Sequence, residues 1–126
     1  MAGTEIQFDR KDQLNRIQGY VVPGEILLAV YDLKGGGTGF VGITDRRLIF
    51  YDQAFLRKKK AMVSVPYSHV TAVASEDSGG VLFATSTLHV TTAGGQTYEL
   101  RFRSGDKAHN AYTMMIGQIL QAEIPG

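Results

Sequence analysis

Apolar residues recur along this chain at two different periods, and the change of period marks out its parts. Leu14, Ile17 and Val21 keep helical spacing, so residues 9–18 are expected to form a short helix. Asp9 and Asp12 suit the positive end of its first turn. Gly19 can end it, and Pro23-Gly24 prevents its continuation. From residue 25 the pattern turns to period two. Strands are expected at residues 25–32, 38–44, 47–52, 61–65, 70–75, 81–92 and 96–103. Asp45-Arg46 joins the second to the third, Ala93-Gly94-Gly95 joins the last two, and Pro66 ends the fourth. Alternation is cleanest in the last strand, where Tyr98, Leu100 and Phe102 point inward and Thr97, Glu99, Arg101 and Arg103 outward. Near the C-terminus the period returns to 3.6. Ala108, Tyr112, Met115 and Ile119 form one stripe, widened by Ala111, Ile116 and Leu120, with Ser104 or Asp106 as cap.

These elements predict a mainly β fold: about seven antiparallel strands in a bent sheet or partly open barrel. A C-terminal helix caps its open end, because an open sheet must hide its apolar face and one helix stripe can do so. Phe50, Leu88, Leu100, Phe102, Tyr112 and Met115 are the expected core. Residues 1–24 read as a helical extension, and residues 25–122 as the domain itself.

Composition narrows the function classes. The chain has 126 residues, enough for one domain, and its net charge of +1 is too small for a whole-surface attraction to nucleic acid. No nucleic-acid partner is therefore expected. The absence of cysteine removes disulfides, thiolate metal sites and cysteine nucleophiles together. The first residues lack the apolar stretch of a signal peptide, and the longest apolar run is far short of a membrane span. The expected location is the cytoplasm, with a peripheral membrane position as the variant.

Thr44-Asp45-Arg46-Arg47-Leu48-Ile49-Phe50-Tyr51 resembles the strand–turn–strand signature of bacterial PH-like and GRAM-like domains. Pro66-Tyr67-Ser68-His69-Val70, followed by Val73, resembles a second recurring segment of that family, and Glu25-Ile26-Leu27 resembles the opening of its first strand. The nearest subgroup by these motifs is the YokE-like bacterial PH domains, and the resemblance runs from about Glu25 to Leu120. It implies the PH superfold. It also implies a binding module, with phosphoinositides or peptides as the ligand classes of the wider fold. Phosphoinositide-binding members carry a lysine near the end of the first strand and basic residues on the second. Lys34 matches the former, but the strand expected at residues 38–44 has no basic residue.

The remaining candidates for chemistry are sparse. The glycine run from Gly35 to Gly39 follows Lys34 and precedes a strand, whereas a phosphate loop needs lysine after the glycines and a helix behind it. A hairpin loop is the expectation. His69, His89 and His109 have no acidic or histidine neighbour at local metal-ligand spacing, so no metal site and no cofactor is expected. Ser64, Ser68 and Ser75 lie near His69 in sequence without a nucleophile elbow. No catalytic residue is assigned, and a non-enzymatic role is expected.

One surface feature stands out: Phe55-Leu56 followed by Arg57, Lys58, Lys59 and Lys60. Such a run is commonly a solvated turn. Its functional reading is an anion- or membrane-binding loop, with Phe55 and Leu56 dipping into the interface beside the cations. At about 1 kcal/mol per basic residue the four supply roughly 4 kcal/mol, which is about millimolar affinity for one copy. Several copies in an oligomer would bind far better. The leading expectation is a non-catalytic binding or scaffold module acting through protein contacts, including self-assembly into a homo-oligomer. The alternative is a peripheral module for anionic lipid using residues 55–60.

Overall fold

The computed structural model describes residues 5–34, 38–52, 61–76 and 86–122. The elements in chain order are β1 (Gln7–Phe8), α1 (Lys11–Gln18), β2 (Leu27–Asp32), β3 (Thr38–Thr44), β4 (Arg47–Asp52), β5 (Ala61–Pro66), a 3-10 turn (Tyr67–His69), β6 (Val70–Ser75), β7 (Thr87–Thr92), β8 (Thr97–Arg101) and α2 (Gly105–Ala122). They make two sheets, ordered β1-β2-β3-β4-β5 and β6-β7-β8. All neighbours are antiparallel except β1, which pairs parallel to β2. A single bridge between Leu33 and Phe102 ties the first sheet to the second. The mainly β architecture with a C-terminal helix is as the sequence pattern predicts, with two sheets in place of one bent sheet.

The main core lies between the sheets and α2. Phe50, Leu88, Leu100, Phe102 and Met115 are fully buried there. Tyr112 is half-buried and packs against this cluster from the helix. Ser104 is the cap of α2, since its Oγ accepts the Lys107 amide at 3.2 Å. Leu120 was expected on the buried stripe, but it is 57% exposed, so the stripe ends before the last turn. Residues 81–85, expected to begin the sixth strand, lie outside the described residues, as do Gly35, Gly36 and Gly37.

A second core covers the opposite face of the first sheet. Leu14 and Ile17 of α1 pack there with Leu27, Val30, Phe40 and Ile49. The first sheet is therefore buried on both sides, which explains why β2 and β4 are apolar at nearly every position. The helical part of residues 1–24 thus packs on the first sheet through Leu14 and Ile17. Polar contacts secure the same segment. Tyr31 Oη donates to Gln7 Oε1, and the Asp32 amide donates to Asp9 Oδ2. Asp9 also pairs with Lys107 of α2 at 2.6 Å, and Asp32 takes Gln13 and Arg103. Asp9 thus lies ahead of α1, bonded to another strand, and not in the helix's first turn as its position suggested.

Close packing at Gly42 supplies a test. A Cβ added there would sit 2.6 Å from Ile17 Cγ2, and Ile17 is fully enclosed. Gly42→Ala is expected to lower stability by roughly 1–3 kcal/mol through overpacking. Urea denaturation measures it, and an unchanged midpoint would mean that α1 does not sit on this sheet.

Candidate binding surfaces

The resemblance motif at residues 44–47 builds a buried ion pair. Glu25 sits two residues ahead of β2, its side chain 1% exposed, and its Oε2 accepts Arg47 Nε at 2.8 Å and Thr44 Oγ1 at 2.7 Å. Its Oε1 accepts Arg47 Nη2 and the Val22 amide. Arg47 further donates to the Tyr20 carbonyl and to Ser64 Oγ. Thr44 Oγ1 accepts the amides of Arg46 and Arg47, and Tyr67 Oη donates to the Thr44 carbonyl. Hydrogen bonds from Arg47 and Thr44 outweigh burial and hold Glu25 at about 2. Burial pushes the Tyr67 hydroxyl well above the usual phenol range. These groups are committed to one another and to backbone. Both family-like motifs, Thr44 to Arg47 and Pro66 to Val70, therefore hold the strand–turn–strand corner together and form no reactive centre.

Three surface regions stand out among the described residues. The first joins the α1–β2 connection to the end of α2. Val22 is 53% exposed and Ile26 is 60% exposed, and Tyr20 is exposed beside them in sequence. Pro23-Gly24 makes the bend, with Gly24 at a positive φ of 88° that glycine tolerates. Ile26 and Leu28 line a shallow groove of about 440 Å³ with Asp45, Gln118 and Gln121. Asp45 is fixed there, because its Oδ1 accepts the Ile26 amide at 2.9 Å.

The second region runs beside β5, an edge strand of the first sheet. Ser64, Pro66, His69, Thr92 and Gln96 are among the residues lining a groove of about 360 Å³ there. Ser64 Oγ accepts from Arg47 Nη1 at 3.0 Å.

The third is the outer face of the second sheet. Register places His89 between Ala74 on β6 and Glu99 on β8. Glu76, just past β6, comes within 3.0 Å of His89 Nε2 through its Oε2. Glu99 Oε1 also accepts Arg101 Nε at 3.0 Å. One ligand atom from each of Glu76, His89 and Glu99 lies within 4.8 Å of the others. The sequence reading, which tested local spacing alone, gave His89 no acidic neighbour. The two carboxylates near it are brought there by neighbouring strands, beyond the reach of local spacing. Phe55, Leu56, Arg57, Lys58, Lys59 and Lys60, the anion- or membrane-binding candidates, lie outside the described residues.

Two sheets closed by a C-terminal helix define a domain of the PH-like class. The chain belongs to the bacterial PH domain family, whose pattern it matches over residues 2–119. That match includes most of the N-terminal segment, in agreement with its packing on the sheet. Solved structures of similar fold include a DUF1696 family protein with a pleckstrin-homology domain from Shewanella loihica, 20% identical, at a TM-score of 0.62 over 88% of this chain and 94% of that one. The pleckstrin homology domain from Shewanella amazonensis is 20% identical, at a TM-score of 0.57 over 89% and 90% of the two chains. An uncharacterised Bacillus subtilis protein, YozO, is 28% identical over 93 residues, which is 74% of this chain and 77% of the relative. Among the described residues no helix is long and apolar enough to cross a membrane.

Proposed function

We propose that this domain is a non-catalytic binding module that works through protein contacts, with a second copy of itself as its first partner. The observation that carries the reading is the exposure of Val22 and Ile26, with Tyr20 nearby in the same connection, beside the groove closed by Gln118 and Gln121. Scattered apolar residues need no explanation, but a group in one connection beside a groove marks a contact surface. Tyr20, Val22 and Ile26 carry no charge and the groove's glutamines are neutral, while its carboxylate, Asp45, lies 4.0 Å from the Arg46 guanidinium. Such a patch meets its own copy without the like-charge repulsion that would oppose a charged one.

Light scattering tests this directly. The wild-type chain is expected to run as a multiple of 13.7 kDa, and the double variant Val22→Glu/Ile26→Glu as a single copy with an unchanged far-UV spectrum. A wild-type mass of one copy across micromolar concentrations would end the self-assembly reading. Sedimentation with anionic vesicles at low and high salt tests the alternative, binding through residues 55–60. Salt-sensitive binding lost on replacing Arg57, Lys58, Lys59 and Lys60 by glutamine would favour it.

A further inference from the structure

We propose that Glu76, His89 and Glu99 form a surface site for a borderline divalent cation, zinc above all. The three side chains come from three neighbouring places on one sheet face: the end of β6, the middle of β7 and the middle of β8. One imidazole and two carboxylates are a donor set that zinc accepts, since it binds both imidazole nitrogen and carboxylate oxygen. A tetrahedral ion with ligands at 2.0–2.1 Å needs its donors about 3.3 Å apart. His89 Nε2 and Glu76 Oε2 are already 3.0 Å apart, and the whole triad falls within 4.8 Å. Small rotamer shifts of two half-exposed glutamates close the remaining gap.

The surroundings fit this role. Ala74, across the ladder from His89, is small and leaves the face open at that rung. Arg101 holds Glu99 through Oε1, as outer partners commonly orient a ligating carboxylate. A groove of about 430 Å³ lined by Lys34, Glu76, Ser86, Thr87, Glu99 and Arg101 adjoins the triad and gives an ion a path to it. Lys34 and Arg101 also set the strength. They offset much of the charge of the two carboxylates, so binding in the micromolar range is expected, weaker than at a closed structural centre. Three protein donors leave at least one coordination position for water or for a donor from a partner. The bound ion would clip the end of β6 to β7 and β8.

Calorimetric titration of the full chain with zinc chloride, in buffer free of chelators, tests the site. One ion per chain is expected. Removing one donor with His89→Ala or Glu99→Gln should weaken binding roughly tenfold or more, at least as much as the loss of an outer partner. The double variant His69→Ala/His109→Ala should bind as wild type does. These side chains reach the surface, so their variants are expected to keep the far-UV spectrum. Nitrogen-15 spectra of the histidine rings give a second reading that needs no variant: zinc should shift His89 and leave His69 and His109 in place. The proposal is overturned by the absence of zinc binding at high micromolar concentration. It is equally overturned by affinity that survives His89→Ala, or by ring shifts at His69 or His109 instead.

Discussion

Phe102→Ala is expected to lower the stability of the domain by roughly 3–5 kcal/mol, the range for deleting a fully enclosed aromatic ring. The ring is wholly buried and meets Tyr31 edge-on at 5.6 Å. Its backbone carries the bridge to Leu33, and its amide donates to the Ser86 carbonyl at 2.7 Å. The side chain therefore fills the corner where the two sheets are tied, and a cavity there cannot be closed by moving one sheet alone. Small domains have about 5–15 kcal/mol in total, so the variant should be largely unfolded at modest urea concentrations. Phe102→Leu should lie between wild type and the alanine variant. An alanine variant that melts near wild type would mean that this corner repacks freely.

Glu25→Ala is expected to cost about 3–5 kcal/mol, because it strands Arg47 beside a buried corner with its charge unmatched. The same residue makes stability depend on pH. Its folded-state pKa is about 2 against an ordinary 4.5. A lowered pKa means that the unfolded chain binds the proton more readily, so the contribution is complete above pH 4.5 and is lost as pH falls toward 2. The shift is equivalent to about 3 kcal/mol at the usual conversion, in line with the mutational expectation. Denaturation midpoints measured from neutral pH down to acid should show wild type losing that amount through the window. Glu25→Gln should start lower and respond much less over the same range. Parallel pH curves for the two proteins would show that Arg47 does not depend on this carboxylate.

Much of the fold was legible in the sequence because alternation reports the faces of a strand directly. Leu88 and Val90, or Tyr98 and Leu100, alternate with polar residues because the second sheet has one wet face. The first sheet was harder. In β4, Ile49 and Tyr51 lie on the face opposite Leu48 and Phe50, and nothing local says that α1 covers them. The apolar pair Leu14 and Ile17 announced a helix but not its partner, and Gly42 gave a usable sign, since a glycine within a strand often marks a close approach. The motif at residues 44–47 was legible as a signature, while its role in closing a corner depends on Glu25, some twenty positions earlier. The cluster around His89 was hidden for a similar reason. Its partners are set by strand register, and spacing along one strand carries no information about the next.

The fastening of the first residues to the last helix also bears on synthesis. As the chain emerges from a ribosome, Leu14 and Ile17 appear before the strands that will cover them, and Asp9 long before Lys107. At roughly 5–20 residues per second, that delay is several seconds or more. During it, a short helix with an apolar side has no surface to rest on and is too brief to persist alone. The apolar side of α1 therefore stays uncovered until β3 and β4 have emerged, and that interval is when a chaperone would have something to hold.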